Sequence, residues 1–179
     1  MAFIEIGFNT KRPLILGRGG FGTQLNDWLM DEGWGSADFL DDNAPDAVGG
    51  LRDYVDPAIL KRGRPAFVGL GDNKLRVELL QKLAAAGYST PVFISDAASV
   101  SPSAVLEPGC IILPQAYVGA DAHLGVGCIV NAGAIVDHNA HLGRGVHVAL
   151  GGIVKASAEV AEFGKVDSGE IVRSPWENQ

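Results

Sequence analysis

Three of the chain's four histidines, His138, His141 and His147, fall within ten residues of one another. A neutral imidazole can take a proton from an attacking amine or hydroxyl near pH 7. Asp137 immediately precedes His138, and a carboxylate beside a histidine can orient the ring and stabilise its charged form. Asn131 stands seven residues before His138. This constellation offers general-base chemistry at Asp137-His138. His123 and His141 are read instead as surface histidines on a polar corner. The two cysteines, Cys110 and Cys128, make no metal-ligand cluster, and neither is taken as a nucleophile. No metal is expected.

A second set of residues suits phosphate. Gly17-Arg18-Gly19-Gly20-Phe21-Gly22 follows a short apolar strand, Pro13–Leu16, and opens a helical pattern. Such a G-x-G-x-x-G turn presents backbone N–H groups at a helix N-terminus. Asp41-Asp42 come about twenty residues later, where a ribose hydroxyl or a base is held in such folds. Gly71-Asp72-Asn73 lies at the end of a later strand, and Arg76 is placed to reach a phosphate. The alternative for each is a plain turn, a helix cap and solvated charges. The region is too small for two βαβαβ halves, so a nucleotide-linked substrate fits better than NAD, and an NAD-dependent oxidoreductase is the weakest of the readings.

A repeat positions the histidines. Val100, Leu106, Ile112, Val118, Leu124 and Val130 begin a series that continues every sixth residue to Val172. Four places after each comes a mostly small residue. A period of six is neither helical nor that of a plain strand. It marks a parallel β-helix, three hexads to an eighteen-residue coil. His138, two residues past Val136, therefore sits near a coil corner. Cys110 and Cys128 fall one coil apart at the same small position, as stacked reduced thiols.

Upstream, strands at 13–16, 37–40, 66–70 and 91–94 alternate with helices, which predicts a small parallel α/β sheet. The helix after Asp72 or Asn73 is stopped by Gly87, and a short helix is expected near Pro57 to Arg62. Residues 1–12 read as a loose leader. The expected domains are 1–95, a Rossmann-like α/β domain, and 96–179, the coil stack of about four coils. The tail around Val172–Trp176 is expected to cover the last coil edge. Glycine, at 24 of 179 residues, meets the need of tight coils. A net charge of −7 argues against a nucleic-acid partner. No apolar run approaches the roughly 20 residues of a membrane span, and residues 1–12 lack a signal-peptide core, so a cytoplasmic protein is expected.

Together the glycine loop, Asp41-Asp42, Gly71-Asp72-Asn73 with Arg76, the hexads and the Asp-His pair followed by His147 resemble the hexapeptide-repeat sugar acyltransferases. The resemblance is to the branch of sialic acid O-acetyltransferases and nucleotide-sugar 4-amino N-acetyltransferases. It implies a left-handed β-helix, whereas the general rule for crossovers is right-handed. It implies a homotrimer with active sites between subunits. The nucleotide sugar would lie on the α/β domain, held by Gly17, Gly19, Gly20, Gly22, Asp41, Asp42, Gly71, Asp72, Asn73 and Arg76. Acetyl-CoA would lie along the coils past His147, Gly151 and Gly152. His138 would be the base, Asp137 would orient it, and Asn131 would help place the acceptor or acyl group. The chain departs from this family in two places: Phe21 stands where the loop usually carries histidine, and the coils are expected to end early, near Val172. The reading is an acyl-CoA-dependent N-acetyltransferase of a nucleotide-linked amino sugar. Its rivals are a sugar O-acetyltransferase and a non-catalytic trimeric nucleotide-sugar-binding scaffold.

Overall fold

The computed structural model describes residues 12–59 and 63–178. Strands β1 (Leu14–Leu16), β2 (Asp38–Leu40) and β3 (Ala66–Val68) form a parallel sheet in the order β2-β1-β3. All three residues of β1 are fully buried, because the sheet is covered on both faces. Helix α1 (Gly20–Asp31) packs Leu25 and Leu29 against Ile15 and Phe67 on one face. Helix α2 (Asn73–Ala86) packs Leu79, Leu80 and Leu83 against Leu14 and Leu16 on the other. Asp72 caps α2 by accepting the Leu75 N–H at 2.9 Å, and Gly87 ends it at φ 94°. Most of the expected leader lies outside the described residues, as do positions 60–62 of the short helix near Pro57. The described residues 57–59 form a turn, after a 3₁₀ turn at Asp53–Val55.

The second unit is a parallel β-helix of two-residue strands on three faces. The first face stacks 93–94, 111–112, 129–130, 147–148 and 165–166. The second stacks 99–100, 117–118, 135–136, 153–154 and 171–172. The third stacks 105–106, 123–124, 141–142 and 159–160. The second residue of each strand points inward. Ile112, Val118, Leu124, Val130, Val136 and Val148 join Cys110, Ala116, Cys128 and Ala134 in one core. Both cysteines are free and buried there, as expected. Phe93–Ile94 begins the β-helix by pairing with Ile111–Ile112, and is not a fourth strand of the α/β sheet. At the far end the tail makes a 3₁₀ turn at Pro175–Asn178, tied back by Lys155 to Glu177 at 2.7 Å. Trp176 remains exposed, so it does not cap the core.

The two units are locked along one edge. Helix α2 runs up the corner between the third and first faces. Its pitch of about 5.4 Å nearly matches the ~4.8 Å spacing of coils, so each turn meets a new coil. A Cβ at Gly109 or Gly127 would come within 2.7 Å of Leu80, and one at Gly145 within 2.8 Å of Val77. Arg76 lies between these coils. Its Nε donates to the Gly127 carbonyl at 2.8 Å and its Nη2 to the Gly145 carbonyl at 2.8 Å and to Asn73 Oδ1 at 2.9 Å. Its Nη1 donates to the Leu70 carbonyl at 3.0 Å. Asn73 Nδ2 reaches one coil further, to the carbonyls of Phe163 and Gly164.

Candidate active site

The outward positions of the first face show where a ligand can enter. Phe93, Ile111 and Ile129 are covered by the α1 side of the α/β domain. The next outward residues in the same column are His147 and Lys165. The column turns polar at the level of the glycine loop, where the Phe21 ring stands 6.5 Å from the His147 ring. The start of α1 thus lies beside the coils at His147.

On the domain side the glycines divide by role. A Cβ on Gly22 would meet the Gly17 carbonyl at 1.9 Å, and one on Gly69 would meet Gly22 Cα at 2.6 Å, so these backbones pack directly on one another. Gly17, at φ 100°, is likewise packed, against Leu70. Gly19, Gly20 and Gly71 face open space. The α1 cap residue is Gly19, which brings no side-chain acceptor to the first-turn N–H groups. An anion can therefore approach there.

The acidic pair also divides. Asp41 accepts three backbone N–H groups, from Arg18 at 2.7 Å, Asn43 at 2.8 Å and Ala44 at 3.1 Å. These bonds hold its carboxyl below the usual carboxylate range. Asp41 pins the glycine loop to the 41–44 turn. Asp42 is exposed; it accepts the Leu51 N–H and borders a cavity of about 350 Å³ with Leu51, Arg52, Tyr54 and Leu75.

Three further expected substrate residues have structural work instead, as Gly17, Gly22 and Asp41 do. Asp72 is the α2 cap. Asn73 and Arg76 are the domain clamp, and Arg76 is fully buried on backbone carbonyls rather than free for a phosphate. Burial draws its guanidinium down to about 10, still charged at neutral pH. Gly152, expected along the coenzyme path, faces the coil interior, where a Cβ would meet Val148 at 3.1 Å. Gly151 does face open space at the corner above Asn131.

On the coil side, Asn131 Oδ1 accepts the N–H of Ala132 at 2.8 Å, which turns its amide NH2 toward His147 Nε2, 3.4 Å away. Burial, then the positive charges of Arg76 and Lys165, pull His147 down to about 4. The ring is neutral at pH 7. An unfolded histidine titrates near 6.5, so below that pH the unfolded chain binds a proton that folded His147 refuses. The stability due to His147 is therefore fully present above about pH 6.5 and lost as pH falls toward 4. Denaturant unfolding at both ends of this window is expected to show a smaller acid loss for His147→Gln than for the parent.

His138 sits on a different corner, between the second and third faces, and is exposed. Asp137 Oδ1 accepts the backbone N–H of His138 at 2.7 Å, so the carboxylate holds the main chain and not the ring. Ring Nδ1 faces Nδ2 of Asn139 at 2.8 Å, the residue that follows the Asp137-His138 pair in the sequence. The coil beneath approaches so closely that a Cβ on Gly119 would lie 2.6 Å from the His138 nitrogen. Gly119→Ala must shift that backbone by several tenths of an ångström. It is expected to slow turnover by about ten- to a hundredfold, with stability down by about 1–3 kcal/mol, in paired rate and melting measurements. Within one chain His138 and the pair Asn131–His147 occupy opposite edges of the second face and do not meet. His123 and His141 meet edge to face with ring centroids 4.8 Å apart on the third face, where Glu107 Oε1 lies 3.0 Å from His123 Nε2. They lie at the surface, as expected, but on the flat third face and not at a corner. Among the described residues no group of histidine, cysteine and carboxylate side chains could hold a metal.

The family model for the PglD N-terminal domain matches residues 13–83, the unit that carries the glycine loop, Asp42 and the clamp. Those residues are a PglD N-terminal domain. Beyond this domain the likeness extends through the coils, to acetyltransferases of the hexapeptide-repeat sugar acetyltransferase family that the sequence resembles. The acetyltransferase domain of PglB from Neisseria gonorrhoeae, in complex with acetyl coenzyme A, is 25% identical with a TM-score of 0.71, covering 90% of this chain and 95% of that one. PerB from Caulobacter crescentus, in complex with CoA and GDP-perosamine, is 26% identical with a TM-score of 0.65, covering 90% and 91%. A mutant of GDP-perosamine N-acetyl transferase from the same organism shares the fold at 24% identity and a TM-score of 0.70, covering 88% and 89%. No curated protein sequence matches the chain. The PglD N-terminal domain and its coils thus span nearly all of two coenzyme-bound relatives. The last described coil strand is Ile171–Val172, where the coils are expected to end.

Proposed function

We propose that the protein is an acetyl-CoA-dependent N-acetyltransferase acting on an amino group of a nucleotide-linked sugar. The carrying observation is the first-face column, which changes from Ile129 to His147 and Lys165 beside the uncapped start of α1. The bound ligands of PglB and PerB, and the GDP-perosamine of PerB in particular, support an amine acceptor over a hydroxyl. The nucleotide's phosphates meet the free N–H groups at Gly19 and Gly20, with Gly71 opposite and Asp42 toward the ribose or base. Acetyl-CoA lies along the coils past Gly151. His138 takes the amine's proton as nitrogen attacks the thioester carbonyl. The C–N bond forms, the C–S bond breaks, and the proton passes on to the departing thiolate. Asn131 aims its NH2 at the carbonyl oxygen, where developing negative charge is stabilised. His147, kept neutral by burial, stands beside it.

These groups meet in a homotrimer, where His138 of one subunit lies against Asn131 and His147 of the next. An apolar stripe on the intervening face supports this: Tyr117, Ile135 and Ile171 are exposed, with Ile153 in line between them. The expected compartment is the cytoplasm; no described helix is long and apolar enough to cross a membrane. Calorimetry tests the reading. Acetyl-CoA and a nucleotide sugar are each expected to give binding heat. Heat from the sugar alone would favour a non-catalytic scaffold instead.

A further inference from the structure

The last coils carry an unbalanced pair of positive charges. The lysines and arginines of the coil stack are Arg144, Lys155, Lys165 and Arg173. Arg144 has its own carboxylate, Glu162 at 2.9 Å, and Lys165 has Asp167 at 2.6 Å. Lys155 and Arg173 share one. Lys155 Nζ donates to both oxygens of Glu177, at 2.7 and 2.8 Å, and Arg173 Nη1 stands 3.7 Å from the same carboxylate. Two cations thus converge on a single negative charge, in a chain whose net charge is −7.

Their place matters as much as their charge. Ile135–Val136 pairs in register with Ile153–Val154, and that strand with Ile171–Val172. Asp137, Lys155 and Arg173 follow these strands and stack on the corner that carries His138. Lys155 is one coil above that level and Arg173 two, about 5 and 10 Å along the axis. Asp137, the acid of this column, is spent on the His138 main-chain N–H. The carboxylate between the two cations comes from the 3₁₀ turn at Pro175–Asn178 and not from the coils. Exposed ion pairs of this kind are worth little in water, so a more highly charged anion can take the carboxylate's place.

We infer that Lys155 and Arg173 form a subsite for the phosphates of coenzyme A, and that Glu177 competes for it. The inference rests on acetyl-CoA being the donor and on its thioester lying at His138. The coenzyme's phosphates are a full pantetheine arm away from its sulfur. A thioester at His138 therefore carries them toward later coils on the same edge, where the two cations stand. The phosphates bring more negative charge than one carboxylate and accept from ammonium and guanidinium together. Their binding releases Glu177, so the coenzyme and the docked tail exclude one another.

Calorimetry with coenzyme A, 3′-dephospho-coenzyme A and pantetheine tests it, on the parent and two variants. Glu177→Gln keeps the size of the side chain and removes the competing charge. It is expected to bind coenzyme A about two- to fivefold more tightly, the worth of an exposed ion pair. The double variant Lys155→Gln, Arg173→Gln is expected to bind coenzyme A about tenfold more weakly, and so to lose most of the parent's preference for coenzyme A over pantetheine. Dephospho-coenzyme A shows which phosphate is held. An affinity near that of coenzyme A assigns the diphosphate, and one near that of pantetheine assigns the 3′-phosphate. Glu177→Gln binding coenzyme A no more tightly, or a preference over pantetheine unchanged in the double variant, would overturn the inference and leave acetyl-CoA as donor. No binding heat from coenzyme A with the parent would overturn both.

Discussion

The His138→Ala protein is expected to fold and melt within a few degrees of the parent, yet to release coenzyme A about 10²–10⁴-fold more slowly. The rate estimate is the usual contribution of a positioned general base. The stability estimate follows from the site. His138 is exposed on a corner whose backbone is held by bonds that the substitution leaves in place, to Ala120, Ser157 and Asp137. Size-exclusion chromatography is expected to show the parent's oligomeric state. Acetyl-CoA binding measured by calorimetry is also expected to persist, because the loss lies in proton transfer and not in holding the thioester. A rate loss accompanied by aggregation would point to a structural role for the corner.

Arg76→Met is expected to give the opposite signature. Methionine fills much of the volume but leaves the carbonyls of Leu70, Gly127 and Gly145 and the Asn73 side chain without their donor. Losing one partner of a buried charged network costs about 3–5 kcal/mol. For a chain of this size that lowers the melting temperature by roughly 10 °C. The lost bonds join α2 to two successive coils, so the α/β domain is expected to loosen from the β-helix, and protease cutting near residues 87–92 is expected to rise. If Arg76 were a phosphate ligand, the variant would melt normally and bind nucleotide sugar weakly.

Arg76 shows what a sequence conceals. A cation just after Gly71-Asp72-Asn73 has the local look of an anion site. Its acceptors at Gly127 and Gly145 lie 51 and 69 residues away, and no local pattern announces them. The hexads were legible for the reverse reason. The inward residue of each coil recurs at a fixed interval, so one column of aliphatics specifies the β-helix. Phe93–Ile94 was placed in the wrong sheet although Ile94 is on that beat, because a strand two residues long carries no mark of its partner. A second column, the left-handed corners, was harder to see. Glycine fills it at 109, 127, 133, 145, 151 and 169, but Gln115, Ser157 and Phe163 adopt the same conformation and hide the period. Asn139 belongs to this column, which is why its contact with His138 emerges only in three dimensions. The glycine loop was read as one phosphate cradle, whereas packing reserves Gly17 and Gly22 for the fold and leaves Gly19 and Gly20 for a ligand.

The most direct measurement is coenzyme A release from acetyl-CoA across a panel of nucleotide sugars, each compared in its 4-amino and 4-hydroxy forms. Thiol is expected to appear with one or more 4-amino sugars, to track formation of the N-acetyl product, and to fall to background in His138→Ala. Thiol release with no member of the panel, or equal release by parent and His138→Ala, would contradict the account.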